Sequence, residues 1–276
     1  MFHTNFHTNP AVILLAICFA LATLRPLTAA DASGTFPARV DCEGHYPGHL
    51  QGICLDDEKN DDAKNIYWSF TTWLVKTDAR GKLILKVPVA SHHGDLCYAE
   101  GKLYVAVNLG KFNDPKGNAD SWVYVYDAKN LREIARHEIQ QVKYGAGGMA
   151  THDGRFLVVG GLPDDINENY LYEFDGDFQF IKKHVLSSGH TRLGIQGAAY
   201  SEGIWWLACY GSQVLTATAD LEMKSRHTFE CGYGIVGLGD GQYYIARDSH
   251  VKDKGHAGYL LLAVPDEKAG LKLLEL

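Results

Sequence analysis

Histidine, glutamine and acidic side chains recur where a set of similar apolar segments begins. The densest group lies between Ser91 and Asp127, where His92, His93 and Asp95 precede one apolar stretch and Asn108 to Asp120 follow the next. Imidazole ligates divalent metals and exchanges a proton near neutral pH. His93, Asp95 and His49 are therefore the expected acid–base set, and His49 with His93 the expected ligands of a divalent metal, should one be bound. Gln51, His92, Asn108, Asn113, Gln196, Tyr210, Arg247 and Asp248 are the expected ligand-binding residues. Arg247 supplies a guanidinium suited to a carboxylate or sulfate, and an ion pair with Asp248 is its ordinary alternative. No H-x-H or H-E-x-x-H spacing is present, so the grouping depends on a fold that brings distant segments together. The ordinary reading of the same polar side chains is hydrogen bonding to loops and water.

The elements that would position them form a repeat. The segments GHLQGICLD, SHHGDLCYAEG, GAGGMATHDG, GIQGAAYSEG and GYGIVGLGDG each carry a central glycine, Gly52, Gly94, Gly148, Gly197 and Gly237, about 40 to 54 residues apart. Four of them run into an acidic-Gly pair and then an aromatic, β-branched strand, a strong hairpin signal. A third and a fourth strand follow in each unit. Four antiparallel strands per unit, five times over, predict an all-β, five-bladed β-propeller beginning near these glycines. The amino-terminal segment GTFPARVDCEG is expected to close the ring as an outer strand, with AGLKLLEL at the carboxyl terminus as the rival.

Alignment on the glycines places Gln51, His93, Gly147, Gln196 and Val236 at one level around the channel. His49, Ser91, Gly145, Gly194 and Gly234 lie two residues before Gln51 and its counterparts. Loops between second and third strands are long at 108–120, 160–169 and 247–258 and belong to the same face, where long loops tend to carry function. Asn113, Asp114, Asn118 and Asp120 offer oxygens to Ca²⁺ but lack the full loop motif, so a solvated turn is the expectation. Phe112, Trp73 and Tyr210 flank this face and suit stacking on sugars.

Composition narrows the classes. A formal charge of −7, spread along the chain, argues against nucleic acid. Residues 11–24 form an apolar run too short to span a bilayer comfortably. It ends before Arg25-Pro26 and small residues, the layout of a signal peptide over 1–30 cleaved after Ala30, although the preceding segment lacks Lys and Arg. The expectation is an exported, periplasmic or extracellular, monomeric domain over 31–276 with no membrane association after cleavage. Of the five cysteines left, Cys54, Cys97 and Cys209 read as buried hydrophobes, and an odd count leaves one unpaired.

Across residues 35 to 276 the repeats resemble secreted bacterial β-propellers. Gluconolactonase-like propellers are similar in architecture and carry an acidic metal ligand where this chain has Gln51. Propeller polysaccharide lyases, which have seven blades, are similar in using channel His and Gln residues. The resemblance implies a small polar molecule or glycan at the long-loop face, with hydrolase or lyase chemistry. A non-catalytic recognition or protein-interaction propeller is the alternative.

Overall fold

Four acidic-Gly pairs set the blade geometry. Both central residues have positive φ at Glu100-Gly101, Asp153-Gly154, Glu202-Gly203 and Asp240-Gly241. That is the backbone of the two-residue hairpin turn whose twist matches its strands. The computed structural model describes Met1 and residues 36–56 and 64–274. The expected leader, Met1 aside, lies outside the described residues, as does most of the insertion after Leu55.

A short strand β1 (Arg39–Asp41) precedes the first blade. Blade 1 is β2 (Leu50–Leu55), β3 (Ile66–Phe70), β4 (Trp73–Thr77) and β5 (Leu83–Pro88). Blade 2 is β6 (His93–Ala99), β7 (Lys102–Asn108), β8 (Ser121–Asp127) and β9 (Glu133–Glu138). Blade 3 is β10 (Ala146–His152), β11 (Arg155–Gly160), β12 (Asn169–Phe174) and β13 (Phe180–Leu186). Blade 4 is β14 (Ile195–Ser201), β15 (Ile204–Cys209), β16 (Gln213–Thr218) and β17 (Met223–His227). Blade 5 is β18 (Ile235–Gly239), β19 (Gln242–Val251) and β20 (Gly255–Asp266), completed by β21 (Gly270–Leu273). Strands pair antiparallel in sequence order within each blade. The protein is a five-bladed β-propeller, and its described residues contain no helix.

Closure uses both ends of the chain. β1 pairs with β20 from Arg39↔Leu261 to Asp41↔Tyr259. β21 pairs with the other end of β20, from Ala263↔Leu273 to Asp266↔Gly270. The two candidate closing segments therefore share one long strand, and together they cover the last blade's edge.

Apolar side chains alternate to the two faces of every blade and meet those of the next blade in five clusters. Tyr104, Met149 and Phe156 pack together between blades 2 and 3, and Leu157, Leu171 and Leu207 between blades 3 and 4. Of four tryptophans whose strand patterns read as core, Trp68, Trp205 and Trp206 are buried, while Trp122 is half-buried and donates from Nε1 to Asp120. All five cysteines from Cys42 to Cys231 are buried free thiols. The expected long loop at 247–258 is instead a hairpin, in which β19 and β20 stay paired out to Val251↔Gly255.

Candidate active site at the channel mouth

The inner strands of blades 1 to 4 carry a one-residue register shift at their start. In blade 5 the shift lies at the other end, between Gly237 and Gly239, so Gly234 beside Gly52, and not Gly237, is that blade's glycine at the axis. In blade 1 the partners change from Leu50↔Phe70 to Gly52↔Ser69, leaving Gln51 as the extra residue. Blades 3 and 4 do the same at Gly147 and Gln196. In blade 2 the shift lies between His93↔Val107 and Leu96↔Val105. By this register Gly94 corresponds to Gln51, and Asp95 takes the place held by Gly52, Gly148 and Gly197. The entry bonds agree: Thr71 N donates to His49 O (3.1 Å) as Asn108 N donates to His92 O (3.2 Å). His92, rather than Ser91, is the counterpart of His49.

That single step corrects the alignment on Gly94, because one residue along a strand exchanges the two faces. His93 corresponds to Leu50, Ala146 and Ile195 and points into the blade. It is fully buried, with Nδ1 2.6 Å from Ala90 O and Nε2 2.8 Å from Tyr126 OH, and its ring edge meets Tyr124. Burial pushes its pKa down to about 4. With both ring nitrogens engaged, His93 does not line the cavity. His49 and His93 share no ligand-holding arrangement, and the described residues contain no group of three or more His, Cys, Asp or Glu side chains arranged to hold a metal ion.

Asp95 occupies the channel axis. Its Oδ1 accepts from Ile53 N and its Oδ2 from Ala198 N, each at 3.2 Å, so it ties blades 1 and 4 to blade 2. Glycine in the equivalent places leaves room for it: a Cβ on Gly52 would overlap its carboxylate, and one on Gly197 would come 2.7 Å from Oδ2. Burial raises its pKa well above the carboxylate range, against three backbone N–H donors that lower it. The group is 1% exposed and does not line the cavity.

Above it opens a cavity of about 760 Å³ lined from all five blades. His49, Gln51, His92, Asn108, Gln196, Tyr210 and Asp248 of the sequence-derived set line it, joined by Phe112, Arg192, Glu230, Tyr233 and His256. Gly94 and Gly147 stand where blades 1 and 4 carry Gln51 and Gln196, and the missing side chains leave much of the space. Gln51 Nε2 lies 2.8 Å from His49 Nε2 and 2.7 Å from His92 Nε2. Tyr210 OH lies 3.3 Å from His49 Nε2. Gln196 donates to Leu193 O, and Asn108 braces its loop by accepting from Asp120 N. Burial lowers the pKa of His49, partly offset by Asp248, and lowers that of His92, which His49 lowers further.

The best-ordered chemical pair was half visible in the sequence. His256 Nδ1 is 2.8 Å from Asp248 Oδ2, and Asp248 Oδ1 accepts from Leu50 N at 2.9 Å. Asp248 pairs with Gly258 across the hairpin, so His256 is its diagonal neighbour on the same face. His256 lies within 247–258, which reads from sequence as a loop; the Lys252-Asp253-Lys254-Gly255 turn is the signal that marks the hairpin and places it. Arg247, one residue from Asp248, faces away: it donates to Ala246 O, lies over Phe229 and pairs with no carboxylate among the described residues. Asn113 accepts from Leu162 N and braces blade 3 without lining the cavity. Asp114 accepts from Lys116 N and Asn118, and Asp120 from Trp122 and Gln140, so the loop's oxygens serve the loop. Trp73 packs beneath Lys86, outside the cavity.

No family model matches the chain, and no curated protein does. Solved structures do. The Myxococcus xanthus glutaminyl cyclase is 11% identical with a TM-score of 0.55, over 86% of this chain and 98% of that one. A protein of unknown function from Bacteroides caccae is 12% identical with a TM-score of 0.49, over 76% and 82%. The computationally designed Ika4 protein is 12% identical with a TM-score of 0.40, over 65% and 96%. The likeness is one of fold.

Proposed function

We propose that the cavity binds a small polar molecule and performs acid–base chemistry on it, with His256 as the proton carrier and Asp248 as its orienting partner. The observation that carries this reading is the 2.8 Å contact between them inside the cavity. A carboxylate that accepts from Nδ1–H leaves Nε2 as the basic atom and stabilises the imidazolium formed when it takes a proton. Leu50 N holds the other carboxylate oxygen, so the pair is preorganised by the backbone of blade 1. His256 would take a proton from an attacking hydroxyl, water or amine and return it to the departing group. That cycle suits hydrolysis, elimination and intramolecular acyl transfer alike. Phe112, Tyr210 and Tyr233 supply aromatic surface for a sugar or a similar compact ligand.

Because the fold neighbour is named as a glutaminyl cyclase, amino-terminal glutaminyl peptides join acidic and neutral oligosaccharides and lactones in the substrate panel. Their cyclisation requires removal of a proton from the amine and delivery of one to departing ammonia, the two transfers just described. The reading takes the protein to be exported and monomeric. It is tested with His256→Asn and Asp248→Asn on whichever panel member is turned over. Loss of turnover of about 10²–10⁴-fold with binding retained supports it. Binding without turnover of any panel member by the wild type favours a recognition module instead.

A further inference from the structure

Gln51 bridges two imidazoles through one atom. Its Nε2 is 2.8 Å from His49 Nε2 and 2.7 Å from His92 Nε2, and also 3.3 Å from Thr71 Oγ1. Whether the amide presents nitrogen or oxygen there is an assignment, and the network decides it. Thr71 gives its hydroxyl hydrogen to His49 O (3.3 Å), so an amide oxygen in this place would face the lone pairs of Thr71 Oγ1, which the NH₂ avoids. An amide NH₂ accepts nothing and has two hydrogens, which go to the two imidazoles at 2.8 and 2.7 Å rather than to Thr71 Oγ1 at 3.3 Å. The two imidazoles must then both accept at Nε2, which puts the single hydrogen of each on Nδ1.

The remaining surroundings agree. No protein group among the described residues accepts from the Nδ1 of His49 or of His92, and both rings line the cavity. Burial lowers both pKa values; the ionisable groups about His49 are Asp248, His256, His92, Tyr210 and Tyr233, and the one about His92 is His49. Arg192 lines the same cavity with no hydrogen-bond or ion-pair partner among the described residues. Charge-assisted bonds from N–H groups and a guanidinium favour an anionic oxygen pair over a neutral one.

We propose that Gln51 is a positioning residue that fixes His49 and His92 as paired neutral Nδ1–H donors, and that with Arg192 they receive a carboxylate of the ligand. This rests on the reading of the cavity as a ligand site, but not on His256 being the base. The carboxylate belongs equally to a peptide, an amino acid derivative or a uronic acid.

Long-range ¹H–¹⁵N NMR on the full-length, uniformly labelled protein at pH 7.5 reads the tautomers directly, with His49→Asn and His92→Asn assigning the signals. Both rings are expected as Nδ1–H in the wild type, and Gln51→Glu, whose carboxylate only accepts, is expected to convert both to Nε2–H. An Nε2–H form at either assigned ring of the wild type overturns the proposal whether or not Gln51→Glu folds. The probes for the second half are N-acetylglycine and its amide. The acid is expected to shift both Nδ1–H signals and to bind about tenfold or more tightly than the amide, an advantage lost in Arg192→Ala; equal effects of acid and amide, or no shift up to about 100 mM acid, overturn the carboxylate assignment. If His256→Asn retains turnover while these results hold, the acid–base reading fails and this one stands. If the tautomers are reversed while His256→Asn abolishes turnover, the outcome is the opposite.

Discussion

Replacing Gly197 by alanine should destabilise the propeller only while Asp95 is present. The new Cβ would stand 2.7 Å from Asp95 Oδ2, 3.2 Å from Cγ and 3.6 Å from Cβ, with no other group as close. To make room, the carboxylate must leave Ala198 N, the donor 3.2 Å from Oδ2. Overpacking costs about 1–3 kcal/mol, and a displaced hydrogen bond to an uncharged group about 0.5–1.5 kcal/mol. Against this, Gly197 lacks a positive φ, so alanine returns about 0.4–1 kcal/mol through the unfolded chain. A net loss of about 1–3 kcal/mol is expected in the wild-type background. In Asp95→Ala the carboxylate is gone and the two Cβ atoms are at ordinary contact distance, so the same change becomes neutral or slightly stabilising. Urea unfolding of the four proteins in this cycle, compared by midpoint at constant m value, measures the coupling directly. Additivity within about 0.5 kcal/mol would refute the view that the repeated glycines make room for one axial carboxylate. Gly52→Ala gives no such rescue, because its Cβ would also strike the Asp95 backbone.

Acidification tests the buried histidine. His93 has a pKa lowered to about 4 by burial, so between about pH 6.5 and pH 4 the unfolded chain takes up a proton that the folded chain refuses. Its contribution is complete above about pH 6.5 and is lost as the pH falls through this window, roughly 3 kcal/mol in all. Asp95 acts oppositely: its raised pKa makes the folded chain hold a proton that the unfolded carboxyl has released, so stability from this group falls as pH rises above about 3.8. Unfolding of His93→Gln across pH 4 to 7 should show a shallower acid loss than wild type, and an unchanged slope would remove His93 from that account. At the other end of the chain, mass spectrometry of protein recovered after export should find Ala30 removed and Asp31 as the first residue; an intact amino terminus would contradict a cleaved leader.

Blade number, strand order and hairpin turns were legible because each is written several times, and errors in one copy are outvoted by the others. The site was legible only in part because it lies where the copies differ. Alignment on Gly94 made His93 equivalent to Gln51, since glycine at the narrow axis is the most visible mark in the other repeats. In blade 2 that place holds Asp95, and Gly94 precedes it by one residue; the period-two alternation of a strand then sends His93 inward and leaves His92 facing the mouth. The same departure from the repeat explains both features of the channel. Four small residues around a narrow axis can accommodate one larger side chain, and a carboxyl group placed there finds one backbone N–H donor in the adjacent blade 1 and another across the axis in blade 4. A second departure follows one level outward, where Gly94 and Gly147 of the adjacent blades 2 and 3 lie between Gln51 and Gln196 and open room on one side of the mouth. Strict repetition would close the channel evenly. The cavity, its bridged histidines and the Asp248–His256 pair therefore arise from unequal residues at equivalent positions, which is why no contiguous motif announces them.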